Sequence, residues 1–194
     1  MATDEGDGNV LPAGREIAFR KTMKMGAPPQ AVYEVLADVR SHLEWGGNRG
    51  KKNFRLTGIE VGDTPVHQGS EWSSTGIAPD GTFRDRSVVT EASHPSTFEF
   101  VTDAHVSFKE GDEGDWKVVN RYGIKPDGSG SVVTYSQRLT HATVLGPMKM
   151  MLNPLLAAVG RMMVGALIKP SMQNLASMAK ERSARADRRK SAPL

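Results

Sequence analysis

The chain contains no cysteine, which excludes a disulfide framework, a thiolate nucleophile and a metal site with cysteine ligands. Several enzyme signatures are also missing: there is no HExxH, no GxSxG and no GxGxxG after a predicted strand. The five histidines are scattered and none is spaced to share a metal ion with another ligand. The sequence therefore predicts neither a metal site nor a cofactor.

Neither a signal peptide nor an uninterrupted membrane span is expected from this sequence. Its opening, MATDEGDGNV, is polar and acidic, whereas a signal peptide needs basic and then apolar residues. The segment Met150–Ile168 is mostly apolar, but it contains Asn153, Pro154 and Arg161. A central arginine costs roughly 2.5–3.5 kcal/mol on insertion scales. A cytoplasmic protein with a buried or cavity-lining helix is predicted, and weak peripheral membrane contact stays open.

What remains is the composition of an ordinary single globular domain. The chain has 194 residues, of which 38% are hydrophobic and 24% charged. Its net charge of +3 is unevenly placed, because the start is acidic and the last fifteen residues are basic. We predict a disordered acidic tail at 1–14, one domain at 15–185 and a basic tail at 186–194. The basic tail has no interleaved aromatic residues, so nucleic acid is not an expected partner.

Hydrophobic patterning predicts a strand, two short helices, six further strands and a long final helix. Pro29 suits a helix start, and Asp38 is expected to cap the second helix, Val39–Trp45. The final helix is predicted in three pieces, 147–153, 154–169 and 170–185, separated by the two prolines Pro154 and Pro170. The strands are predicted at Glu16–Met25, Asn53–Val61, Ser70–Ile77, Thr82–Glu91, Thr97–Ser107, Trp116–Lys125 and Ser131–His141.

Four sequence motifs resemble a known family. The stretches APPQAVYEVLAD at 27–38, SVVTEASHP at 87–95, TFEFV at 97–101 and DGSGSVVTY at 127–135 are similar to motifs of the START/Bet v 1-like superfamily, also called SRPBCC or polyketide cyclase/dehydrase-like. The stretch DVRSHLEWGG at 38–47 resembles an actinobacterial-type branch. The match spans residues 15–182. It implies an α+β helix-grip fold, in which a curved antiparallel sheet of about seven strands wraps a long C-terminal helix.

The resemblance implies a hydrophobic-ligand cavity between sheet and helix, and the sequence offers two kinds of residue to line it. Methionines are adaptable and crowd the final helix, while aromatic residues fall in the strands and at the end of the second short helix. The candidate ligand-binding residues are Trp45, Trp72, Phe83, Phe100, Met148, Met151, Leu155, Met162 and Met163.

Acid–base chemistry has weaker candidates. His105 follows Asp103 by two residues, so both would face the same side of one strand, and a histidine titrates near neutral pH. Tyr122, Tyr135 and Arg138 are the further candidates. No register can be assigned from the sequence, so the inward face of each strand stays open.

Three functions fit these features. The favoured one is a protein that binds or carries a hydrophobic small molecule or lipid. The alternative is a polyketide cyclase/aromatase or dehydratase that uses the same cavity. A further alternative is a membrane-surface protein that contacts lipid through the apolar helix and basic tail. The oligomeric state is not predicted.

Overall fold

A computed structural model describes residues 10–46, 54–78 and 80–190. Most of the predicted acidic tail and the last four residues of the predicted basic tail lie outside these ranges. The helices are α1 (Pro29–Ala37), α2 (His42–Trp45) and α3 (Ala157–Lys190), with 3-10 turns at Val39–Ser41 and Gly146–Leu152. The strands are β1 (Ile17–Met25), β2 (Arg55–Val61), β3 (Glu71–Ala78), β4 (Gly81–Ser93), β5 (Thr97–Phe108), β6 (Glu113–Asp127) and β7 (Gly130–Ala142).

The seven strands form one antiparallel sheet in the order β1-β7-β6-β5-β4-β3-β2. Short connections join β3 through β7, because successive strands are hairpin neighbours and no helix separates them. β1 closes onto β7, and the short helices occupy the gap before β2. This arrangement confirms the predicted α+β class, a seven-stranded antiparallel sheet with a long C-terminal helix.

The sheet has two chemically different faces. The inner face is the one packed against α1 and α3, and it carries most of the hydrophobic core. Met172, Leu175 and Ala179 of α3 are buried there together with Phe98 and Val133 of the sheet. The outer face is the opposite side, where charged side chains alternate with the inward residues.

A second, smaller core lies at the other end of the sheet. Its six buried members are Leu11, Ile17, Val118, Leu139, Ala142 and Leu145, and Trp116, Met148, Met151 and Leu152 pack against them. The Leu11 N–H donates to the Ala142 carbonyl at 2.9 Å, so the chain is already attached to the domain at this residue.

Asp38 does not have the predicted capping role. It precedes the 3-10 turn, but its side chain makes no capping hydrogen bond there. Its carboxylate instead accepts a hydrogen bond from Arg182 Nη2 at 2.8 Å. A contact from the far end of the chain therefore replaces the local one that sequence spacing indicated.

The predicted break at Pro170 is also wrong, because α3 runs without interruption from Ala157 to Lys190. The interruption lies earlier, at Asn153–Leu156, between the 3-10 turn and α3. Proline at 170 removes one helical hydrogen bond, to the carbonyl of Ala166, and that residue is exposed to water. Burial of Met172 and Leu175 in the next turn holds the helix on the sheet despite the loss.

Candidate functional site

Six polar side chains cross the inner face of the sheet, where an apolar surface is the usual expectation. We call them the inner polar row. Five are buried and the sixth, Asp85, is partly buried. Each lies two residues along its strand from an aromatic or aliphatic residue that points inward. Because side chains alternate between the two faces of a strand, each of the six also points toward the helices. The row consists of Ser74, Asp85, Ser87, Thr102, Asn120 and Tyr135.

A hydrogen-bonded chain forms the larger part of this row. The Tyr135 hydroxyl donates to Asn120 Oδ1 at 2.7 Å, and Asn120 Nδ2 donates to Thr102 Oγ1 at 3.4 Å. The Thr102 and Ser87 hydroxyls share a hydrogen bond at 2.8 Å. Burial raises the pKa of Tyr135, so its phenol stays protonated and acts as a donor. Its oxygen retains a lone pair that can still accept a hydrogen bond.

Asp85 is the one carboxylate of the row. Ser74 Oγ donates to its Oδ1 at 2.7 Å. Burial raises the pKa of Asp85, and the hydrogen bonds from Ser74 only partly oppose that rise. In the part of the chain that the structure describes, no lysine, arginine or histidine forms an ion pair with it.

Aromatic rings gather beside the polar row. Trp45 packs edge-to-face on Tyr122, with ring centroids 6.2 Å apart, and Trp72 packs on Phe100 at 5.0 Å. His42 lies between the two indoles, and its ring centroid is 4.6 Å from that of Trp45 and 6.1 Å from that of Trp72. We call Trp45, Trp72, Phe100 and Tyr122 the aromatic group.

His42 has a structural role beside the aromatic group. Its Nε2 lies 2.7 Å from the Leu36 carbonyl, so the hydrogen sits on Nε2 in the neutral ring. Burial lowers the pKa of His42 to about 4, against an opposing effect of that hydrogen bond. The ring is therefore neutral at physiological pH.

The indole of Trp45 carries an unpaired donor. Its Nε1–H is fully buried and has no hydrogen-bond acceptor within the described residues. By contrast, the Trp116 Nε1–H donates to the Val144 carbonyl at 2.6 Å. A buried donor without a partner is rare in folded proteins.

The predicted acid–base residues separate onto the two faces. Tyr122 and Tyr135 are inward and adjacent, with ring centroids 4.7 Å apart. Asp103 and His105 share the outer face of β5, where Asp103 pairs with Lys117 at 3.1 Å and His105 Nδ1 lies 2.9 Å from Asp115. Arg138 forms an exposed ion pair with Glu16 at 3.2 Å.

The predicted ligand-binding residues divide into four places. Trp45, Trp72 and Phe100 meet in the aromatic group, as described above. Phe83 stacks on the half-exposed Phe54 with ring centroids 5.2 Å apart. Met148 and Met151 pack against the second core. Leu155 is exposed in the turn before α3, and Met162 and Met163 are exposed on α3.

A groove of about 670 Å³ is lined mainly by charged residues of the outer face, and Ser74 and Asp85 of the inner polar row also contribute to its lining. His105 and Asp103 lie in it, together with Arg84, Lys117 and His141. Within the groove Asp103 pairs with Lys117 and His105 with Asp115, on an open surface where such pairs contribute little. In the described ranges, no group of three or more acidic or histidine side chains could hold a metal ion. Nor does any helix there have the length and apolarity to cross a membrane.

Comparison with known proteins extends this description at the level of fold. No family model and no curated protein matches the chain. Among solved structures, a protein from Arthrobacter aurescens is 16% identical, with a TM-score of 0.57, over 89% of this chain and 91% of its own. A Mycobacterium smegmatis protein is 15% identical, with a TM-score of 0.55, over 89% of this chain and 98% of its own. A Chromobacterium violaceum protein is 16% identical, with a TM-score of 0.54, over 84% of this chain and 96% of its own. These likenesses show the fold alone, a curved antiparallel sheet with a C-terminal helix, as in helix-grip proteins.

Proposed function

We propose that this chain is a START-like (SRPBCC) protein that binds a hydrophobic small molecule or lipid between the inner face and the helices. The fold and the four sequence motifs support the superfamily. The aromatic group supplies apolar contact surface, and the inner polar row supplies a few directional partners beside it. That combination is the usual make-up of a small-molecule site.

The observation that carries the proposal is the unpaired Nε1–H of Trp45. Leaving a buried donor unsatisfied costs roughly 1–3 kcal/mol. A ligand that places a carbonyl, hydroxyl or carboxylate oxygen against this N–H removes that cost. The ligand is therefore an apolar molecule with at least one hydrogen-bond acceptor.

The experiment combines detection of a ligand with a matched pair of tryptophan variants. Native mass spectrometry of the full chain, purified without denaturation, is expected to show a discrete added mass. Oleate and naringenin then serve as a lipid and a polyketide probe, titrated by tryptophan fluorescence. Trp45→Phe keeps an aromatic ring but removes the donor, and we expect it to weaken binding of the accepted probe by about five- to thirtyfold.

Trp116→Phe is the control, because its N–H is already bonded to Val144 away from the aromatic group. It should leave probe affinity within about twofold of the unsubstituted chain. Binding unaffected by Trp45→Phe would contradict the proposed site. A chain that carries no added mass and binds neither probe would contradict the function itself.

Asp85 supports a second candidate, a cyclase/aromatase or dehydratase in the same place. Burial raises the pKa of this carboxyl, and it forms no ion pair within the described residues, so it keeps its proton more readily than an exposed carboxyl and can serve as an acid. Tyr122 and Tyr135 are the inward members of the predicted acid–base set. The test incubates the chain with a poly-β-keto thioester: cyclised or dehydrated product that is lost in Asp85→Asn would support the enzyme, and an unchanged substrate would argue against it.

A further inference from the structure

The first half of α3 and the turn before it carry an exposed apolar ridge. We define it as Leu155, Leu156, Val159, Met162 and Met163, which are 88%, 44%, 43%, 69% and 50% exposed. The spacing i, i+1, i+4, i+7, i+8 places them on one side of a helix. Backbone bonds from Leu156 to Asn153 and from Gly160 to Leu156 extend helical geometry through this turn.

This ridge does not face the domain's own core. Ala157 and Gly160 are buried on another side of the same turns, and Met151 packs against Gly160 there. Further along, Phe19 of β1 lies against Gly165. A helix on the surface of a water-soluble domain normally turns polar residues outward. Here the helix is apolar on both the packed side and the exposed side.

The charges around the ridge have one sign. Between His141 and Lys180 the sequence contains no aspartate or glutamate. The same stretch contains Lys149, Arg161 and Lys169, all of them exposed. At about 100° per residue, Lys169 lies on the side of α3 that carries the ridge, whereas Arg161 lies on the opposite side. An apolar ridge with a cation on its own side is a combination with which interfacial helices bind anionic lipid.

We propose that the apolar ridge and Lys169 form a docking surface for an anionic bilayer. The first half of α3 lies in the interface plane, with Leu155 and Met162 inserted among the acyl chains and Lys169 at the headgroups. This surface is separate from the inner face, so the proposal goes beyond ligand binding and does not depend on it.

The charge pattern favours a bilayer over a second copy of the chain. In a two-fold dimer the same patch meets itself, so the ridge of one copy would face the ridge of the other. Lys169, on the same side as the ridge, would then approach the other copy, with no acid in this stretch to offset the repulsion. An anionic membrane supplies the missing negative charge.

The first experiment is flotation of the full chain with vesicles of phosphatidylcholine alone and vesicles that contain a quarter phosphatidylglycerol. We expect at least tenfold stronger partitioning to the anionic vesicles, falling as salt is raised. The double variant L155Q/M162Q should lower that partitioning at least tenfold. Because both side chains are exposed, its melting temperature should match that of the unsubstituted chain.

A matched pair tests the charge. Lys169→Gln should weaken anionic-vesicle binding about fivefold. Arg20→Gln, an exposed arginine on the outer side of β1, should leave binding within about twofold. Equal loss in the two variants would show a general charge effect and would overturn the assigned surface.

The absence of cysteine allows a direct test of insertion. M162C and S129C each carry a single thiol for an environment-sensitive dye, and Ser129 is exposed in the turn between β6 and β7. We expect a blue shift on anionic vesicles for the label at 162 and none for the label at 129. Overturning results are a chain that floats with neither vesicle type, or one that dimerises without lipid and becomes monomeric in L155Q/M162Q.

Discussion

His42 shows how burial sets the chemistry of a single residue in this domain. The ring is enclosed by two indoles and bonded to the Leu36 carbonyl, and its burial lowers the pKa to about 4. In the unfolded chain a histidine titrates near 6.5. Between these values the unfolded state binds more protons, so acid favours unfolding.

We therefore predict that His42 contributes a loss of stability as pH falls from about 6.5 to about 4. The expected fall in the free energy of unfolding is about 3 kcal/mol across this pH range. Urea unfolding at several pH values measures it. His42→Gln should remove this part of the slope, whereas His67→Gln, at an exposed position, should keep it. Identical slopes for His42→Gln and the unsubstituted chain would contradict the assignment.

Tyr135 tests the inner polar row at the same scale. Tyr135→Phe removes the donor to Asn120 Oδ1 and leaves that buried oxygen unsatisfied. We expect the free energy of unfolding to fall by about 1–3 kcal/mol. Thr22→Val deletes an exposed hydroxyl bond to Thr134 and should change it by less than about 0.5 kcal/mol. A comparable effect of the two variants would mean that the row is not sealed from water.

The sequence predicted the residues of the aromatic group but not most residues of the inner polar row. Serine, threonine and asparagine in a strand are also typical of a solvated face, so their residue type does not indicate burial. The available signal was a spacing of two residues from an aromatic residue on the same strand, which places both side chains on one face. The pairs are Trp72 with Ser74, Phe100 with Thr102, and Tyr122 with Asn120. This spacing alone does not say which residues of a strand face inward, because a shift of one residue in the assumed register exchanges the two faces.

At the scale of elements, one arginine ties the end of α3 to α1. Arg182 Nη1 donates to the Glu34 carbonyl at 2.9 Å and Nη2 to the Asp38 carboxylate at 2.8 Å. Both side chains of the ion pair are about one-third exposed, so water screens part of their attraction. The planar fork of arginine nonetheless satisfies two acceptors at once.

We predict that Arg182→Ala lowers the free energy of unfolding by about 1 kcal/mol. Arg185→Ala is the control, since its pair with Glu181 is 3.9 Å long and highly exposed. That variant should lie within about 0.5 kcal/mol of the unsubstituted chain. Urea titrations measure the free energy of unfolding of both variants. Equal destabilisation by Arg182→Ala and Arg185→Ala would contradict the proposed tie between α3 and α1.

The elements themselves were largely predictable because each has a local signal. Alternation predicted all seven strands, and Asp127-Gly128 predicted the β6–β7 turn, where Gly128 has a φ of 60°. Asp38 and Pro170 were misread because distant contacts decide both. Arg182 is 144 residues from the carboxylate that it binds, and burial after Pro170 offsets a bond that proline cannot make.

At the scale of the whole molecule, two surfaces carry the proposals, and they lie on different elements. The inner face of the sheet holds the aromatic group and the inner polar row. The apolar ridge lies on the exposed side of α3 and on the turn before it. Variants in one surface should therefore leave the other's binding unchanged, since distant and independent sites behave additively.

Ligand binding beside Trp45 is the central claim, and its indole N–H reports on it directly. A ¹H–¹⁵N spectrum of the full chain should show one indole signal for each of the three tryptophans, assigned with single Trp→Phe variants. During titration with the probe that binds, the Trp45 signal should move downfield as its N–H gains an acceptor. The Trp116 signal should stay in place because its N–H is already bonded. A bound probe that leaves Trp45 unmoved, or that shifts Trp116 instead, would contradict the account.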